Sequence, residues 1–187
     1  ALFLGDRDGD VSGAAVFAGI EGTRPVLVEI QALVAPSALA APRRAVIGWD
    51  SGRLAMVMAV LDTRCGLALG PLDVYLNVAG GLKISEPAAD LAVAAALLSS
   101  ETGEAIEGAT VVFGEIGLSG EIRPVSRVDA RLKEAAKLGF TRAIVPRNRS
   151  AKGASLSEHG IDVTEVAHLR ELPDAILPKA RTHKSLA

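Results

Sequence analysis

The stretch Ala79-Gly80-Gly81-Leu82-Lys83-Ile84-Ser85-Glu86-Pro87-Ala88-Ala89-Asp90, running on into Leu91-Ala92, decides how this chain reads. A strand-like run, Val74 to Val78, feeds the two glycines, and a helix is predicted from about Pro87 to Ser100. Proline suits a first helical turn because its missing N–H has no partner there in any helix. Ala92, Ala94, Ala95 and Ala96 make that helix thin, so another element should lie close against it. Glycines leading into a helix N-terminus are where a nucleophile or an anion can be held, since free N–H groups and the dipole face that point. The residue after Pro87, however, is Ala88, and a methyl group cannot attack a carbonyl.

Upstream, Ala14 to Ala18 and Val26 to Val34 read as two strands joined across Glu21-Gly22-Thr23-Arg24-Pro25, with a third short strand from Arg43 to Trp49. Asp50-Ser51-Gly52 opens a helix whose Leu54, Val57, Met58 and Leu61 form one apolar stripe at 3.6-residue spacing. The methionine in that stripe is read as core filling. Downstream, Val111 to Phe113 and Glu121 to Arg123 read as strands flanking a hairpin punctuated by Gly114, Gly117 and Gly120. A helix from about Arg127 to Leu138 stops at Gly139, with Val128, Leu132 and Ala135 as its apolar line. Strands at Ala143 to Val145 and Ile161 to Val166 and a short helix from about Leu169 to Leu177 follow. Alternating strands and helices predict a single α/β domain over residues 13–177, with a connector at 1–12 and a tail at 178–187.

At 187 residues the chain can bury a core, and with 49% hydrophobic and 22% charged residues it is too apolar for disorder. Only 3% of it is aromatic, so the core must be mostly aliphatic. Its apolar runs fall well short of the roughly 20 residues of a membrane span. One cysteine, Cys65, excludes an internal disulfide and a cysteine zinc cage. His159, His168 and His183 show no metal-ligand spacing and are read as surface residues. No Gly-x4-Gly-Lys-Ser/Thr loop occurs, and the glycines at 114, 117 and 120 sit between strands rather than before a helix, so no nucleotide fingerprint is present. No charged segment followed by an apolar one opens the chain, which leads to the expectation of a cytoplasmic protein. The non-Met start is read as belonging to something longer.

Pro87-Ala88-Ala89, the run Gly114-Glu115-Ile116-Gly117-Leu118-Ser119-Gly120-Glu121-Ile122-Arg123-Pro124-Val125 and the helix after it together resemble the proteolytic domain of Lon-type proteases. In that family a Gly-Pro-Ser-Ala-Gly segment supplies a serine nucleophile, and a lysine about five residues beyond the later proline is its general base. Carried over by position, the serine falls on Ala88 and the lysine on Asp129. The resemblance therefore implies a Lon-type fold without a catalytic dyad, and no enzyme activity in this chain. A closer likeness is to the Lon-like C-terminal domain of the bacterial RadA (Sms) family of DNA repair proteins. It rests on Glu21 to Pro25 running into Val28 to Val34, on Asp73 to Gly81, on Glu86 to Ala92 and on Phe113 to Glu121. That family implies a DNA-dependent ATPase promoting branch migration, a homo-hexameric ring, and a partner recombinase met through the full-length protein. ATP, Mg and Zn would belong to N-terminal domains outside this chain, which itself is expected to hold no cofactor and no metal.

Charge distribution adds a partner. The formal net charge is −2, yet residues 121–155 carry nine basic against three acidic side chains, a net +6, leaving −8 for the rest. Such asymmetry is what a phosphate-facing edge on an acidic domain looks like. Arg123, Arg127, Arg131, Arg142, Arg147 and Arg149 are the candidate contacts to duplex or branched DNA, with Arg127 and Arg131 one helical turn apart. Aromatics for stacking are scarce there, so contact should be to the backbone and strongly salt-dependent. Two other readings stand beside this one. Lys83 and Ser85, two apart, could form a relocated peptidase dyad. The domain could also be an oligomerisation scaffold with no affinity for DNA, its basic face used for subunit salt bridges.

Overall fold

A hairpin with a two-residue turn starts the main sheet. Gly22 takes a φ of +63°, and the turn sets β2 (Ala14–Glu21) against the 13-residue β3 (Arg24–Pro36), with Glu21 facing Arg24 across the ladder. The computed structural model describes residues 2–3, 11–148 and 159–177. The sheet runs β10-β9-β6-β2-β3-β5-β4, where β4 is Arg44–Ile47, β5 Leu72–Val78, β6 Thr110–Val112, β9 Arg142–Pro146 and β10 Asp162–Val166. β2, β6, β9 and β10 are mutually parallel, β3 is antiparallel to β2 and β5, and β4 is parallel to β5. Within the stretch read as a connector, β1 (Leu2–Phe3) pairs in parallel with Leu27 and Val28 of β3. The result is the expected mixed α/β domain.

Helices follow the apolar spacing. α1 (Ser51–Cys65) is capped by Asp50, whose carboxylate accepts the Arg53 N–H at 3.0 Å, and it ends on Gly66 in the left-handed conformation. Leu54, Val57, Met58 and Leu61 are all buried. α2 (Asp90–Thr102) is buried on every side from Asp90 to Ser99, as its uninterrupted apolar run Leu91 to Leu98 requires. Its alanines admit β2 and β3 on one side and α1 and α4 (Leu172–Ile176) on the other. α3 (Val128–Lys137) lies in the crossover between parallel β6 and β9, buries Leu132 and Ala135, and gives way to Gly139 at φ +88°. The core is aliphatic with two fully buried phenylalanines, Phe17 and Phe113.

Two sequence expectations need correction. The strand at 111–113 does not flank the glycine hairpin: β6 ends at Val112 inside the main sheet, and the hairpin pairs β7 (Glu115–Ile116) with β8 (Ile122–Arg123). Gly114 is the reason, because its N–H and C=O turn to Ala88 and Leu91 and end the ladder. Arg127 is not in α3. It is the residue before the helix and takes φ +58°, the one non-glycine among the described residues with a positive φ.

Candidate nucleic-acid interface

Ala88, where the Lon-type likeness puts a serine, lies in a 3-10 turn (Pro87–Ala89) ahead of α2 and is 5% exposed. Its carbonyl accepts the Gly114 N–H at 2.8 Å, and the Leu91 N–H reaches the Gly114 carbonyl at 3.0 Å, so the turn is clamped to the end of β6. Asp129, at the lysine's position, is an exposed carboxylate in the first turn of α3. Asp90 stands in the first turn of α2, where a carboxylate suits the helix N-terminus, and it is fully buried with a further task. It takes a two-pronged ion pair from Arg53 of α1 (Nε to Oδ1 2.9 Å, Nη2 to Oδ2 2.5 Å) and accepts the Ile116 N–H at 3.1 Å. That bond to Asp90 is the chief cause holding the Arg53 guanidinium further toward its charged form. Lys83 and Ser85 are both exposed on an extended segment along a groove of about 330 Å³, and no hydrogen bond joins them.

The six arginines divide sharply. Arg131 is 1% exposed, and its guanidinium donates to the Ala18 carbonyl at 2.8 Å, pairs with Glu86 at 2.9 Å and lies 5.6 Å from the centre of the Phe113 ring. It cannot face a phosphate. The sequence held the signal: Arg131 stands three residues after Val128 and four before Ala135, within the apolar line of α3. Arg142 bonds the Glu107 carboxylate at 3.0 Å and the Ala175 carbonyl at 3.2 Å, which ties β9 to α4 and leaves its side chain a quarter exposed. Arg127 is exposed but hands a hydrogen bond to the Thr23 carbonyl in the β2–β3 turn at 3.1 Å. Arg149 lies outside the described residues.

Arg123 and Arg147 remain, and the fold brings them to one place. With Glu121, Ile122, Pro124, Asn148 and Ala167 they line a groove of about 510 Å³, their side chains 56% and 50% exposed. β8 positions Arg123, and the end of β9 positions Arg147, whose N–H is fixed on the Val166 carbonyl of β10 at 3.0 Å. Carboxylates flank both: Glu121 is 3.3 Å from Arg123, and Glu171 is 3.9 Å from Arg147. The Glu121 carboxyl sits below the usual carboxylate range, first because its own backbone N–H bonds to it and then because of Arg123 and the Ser119 N–H.

His168, read as a surface residue, is half-buried and also braces this end. One ring nitrogen accepts the Arg170 N–H at 3.1 Å, and the other lies 3.0 Å from the Ser119 carbonyl. His183 lies outside the described residues. Sequence reasoning missed Glu86 and Arg53, whose partners are 45 and 37 residues away in the chain, a separation no local pattern reports. Among the described residues no three His, Cys, Asp or Glu side chains gather to hold a metal ion, and no helix is long and apolar enough to cross a membrane.

Comparison with known proteins agrees with the α/β architecture. Residues 53–149, just over half of the chain, match the family described as "Subunit ChlI of Mg-chelatase". Proteins named "DNA repair protein RadA" are similar as well. The one from Brucella abortus (strain 2308) is 60% identical over 91% of this chain and 36% of its own length. That of Rickettsia felis is 48% identical over 94% of this chain and 38% of its own length, and that of a Synechocystis strain 53% identical over 80% and 30%. The chain thus spans about a third of the length of the curated relatives it matches. By the match across its central half the chain belongs to the family described as subunit ChlI of Mg-chelatase, and by identity it is a relative of the proteins named DNA repair protein RadA.

Proposed function

We propose that this chain is a non-catalytic, Lon-like module of a DNA repair protein of the RadA kind, and that it touches the duplex backbone through the groove between Arg123 and Arg147. The observation that carries the reading is the pair of half-exposed guanidiniums across one groove, in a chain 60% identical to a protein named for DNA repair. Guanidinium forks match phosphate oxygens, and each phosphate neutralised releases counterions, so affinity comes from charge and falls with salt. Among the described residues no aromatic side chain lines the groove, so the contact proposed is to the backbone rather than to stacked bases. Glu121 and Glu171 each stand beside one arginine while bonded to backbone N–H groups, so a phosphate would take up the half of each guanidinium that faces solvent. In a full-length protein of that kind this module would help to build a hexameric ring, with branch migration driven by ATP, the ATP, Mg and Zn sites lying in other domains, and a recombinase as partner.

A salt series of duplex binding tests the reading. Arg123→Ala and Arg147→Ala should each weaken binding and lower the slope of log affinity against log salt by about 1. Binding that ignores both changes and the salt concentration would leave the scaffold reading instead, which the two flanking carboxylates favour. The peptidase reading needs Ser85 activated by Lys83. Turnover of a fluorogenic peptide that disappears in Ser85→Ala would establish it and overturn the non-catalytic assignment.

A further inference from the structure

β2 is longer than the strand beside it. β6 pairs with β2 only as far as Val112 opposite Phe17, while β2 continues to Glu21. A parallel neighbour opposite Gly19 would donate its N–H to the Ala18 carbonyl and accept the Ile20 N–H on its own carbonyl. Continuing the register puts Gly114 in that place, but Gly114 has spent both groups on Ala88 and Leu91. Two side chains stand there in its stead. The Arg131 guanidinium donates to the Ala18 carbonyl at 2.8 Å, and the Glu86 carboxylate accepts the Ile20 N–H at 2.7 Å. The same two side chains are joined to each other at 2.9 Å. Gly19 makes the room, since a Cβ there would come within 2.9 Å of the Glu86 carboxylate.

We propose that the Glu86–Arg131 pair is a built-in seal, a side-chain replacement for one rung of the sheet that keeps the open end of β2 from accepting a strand from a second copy of this chain. An unpaired strand end offers alternating donors and acceptors to any extended polypeptide, and a protein must cover it or risk edge-to-edge association. The place is reachable because an open groove of about 330 Å³, lined by Gly19, Ile20, Lys83, Ser85 and Glu86 among others, leads to it. Arg131 is the buried anchor of the seal, and Glu86, a quarter exposed, is its outer half.

Amide hydrogen exchange and light scattering on the 187-residue chain test the seal. In the unaltered chain the Ile20 amide should exchange slowly although no strand covers it; fast exchange there overturns the proposal whatever the variants do. Glu86→Ala should speed exchange at Ile20 by about tenfold and give a mass that climbs with concentration above that of the unaltered chain. Glu86→Gln keeps an oxygen to accept the Ile20 N–H and, although it loses the charge opposite Arg131, should keep slow exchange at Ile20 and show no extra mass. Adding Ile20→Pro to Glu86→Ala removes the donor and should abolish the extra mass. An Ile20 amide that stays protected in Glu86→Ala, an exposed amide without extra mass, or extra mass that survives Ile20→Pro would each sink the idea.

Discussion

Arginine does opposite things at the two ends of this molecule. Around the entry to α2, Arg53 and Arg131 are drawn into the protein to meet Asp90 and Glu86, and each ion pair also satisfies backbone groups that the sheet leaves over. At the groove beside β8, Arg123 and Arg147 stand half in solvent with carboxylates alongside at 3.3 and 3.9 Å. Residue type does not separate the two. What separates them is whether one member of the pair is taken out of water (Asp90 in one, Arg131 in the other), because a charge inside the protein must stay paired whereas one at the surface can exchange its partner for water or for a phosphate. Only the second kind is free to bind.

The largest effect should come from breaking the first region. Arg131→Met leaves the Ala18 carbonyl and Glu86 without their donor and should cost about 3–5 kcal/mol in urea unfolding, with no direct change in the salt slope of duplex binding. Asp90→Asn should cost less, about 2 kcal/mol, since Arg53 can turn toward water while the amide oxygen still accepts the Ile116 N–H; thermal unfolding reads the difference. Changing Arg123 and Arg147 together to Ala should leave unfolding free energy within about 0.5 kcal/mol and yet remove about 2 from the salt slope. A large stability loss in that double variant would erase the distinction between the regions. The smallest effect concerns Glu121. A carboxyl held below its ordinary value in the folded chain stabilises it above the unfolded value and loses that contribution as pH falls through the lowered one. The Ser119 amide resonance should therefore hold steady at neutral pH and shift only in the acid range, at lower pH than an unperturbed glutamate of about 4.3 would give. A midpoint at or above that value would remove Arg123 and the loop amides as its partners.

Much of the fold was open to reading from local pattern. The stripe at Leu54, Val57, Met58 and Leu61 predicted a helix that buries those residues, and the alanines of α2 predicted close neighbours; α1, α4, β2 and β3 are those neighbours. The glycine hairpin went astray for a reason outside its own sequence: Gly114 leaves the sheet because Ala88 and Leu91 offer it better-placed partners. The candidate site fared less evenly. Charge counting picked out the basic stretch 121–155, and of its arginines the structure leaves Arg123 and Arg147 half exposed on one groove. The counting also swept in Arg131 and Arg142, because a count of charges carries no information on depth.

By composition and spacing alone this chain was bound to be an α/β domain with an aliphatic core, and the methyl of Ala88 and the carboxylate of Asp129 are fixed by residue type whatever the fold. Local spacing suffices there because helix and strand periods, and the functional group a residue carries, belong to a few neighbouring positions. Which arginine is sunk and which is offered to solvent was settled by the tertiary structure. Those pairings cross 37 to 45 residues of chain, and burial is a property of everything packed around a side chain rather than of the side chain itself.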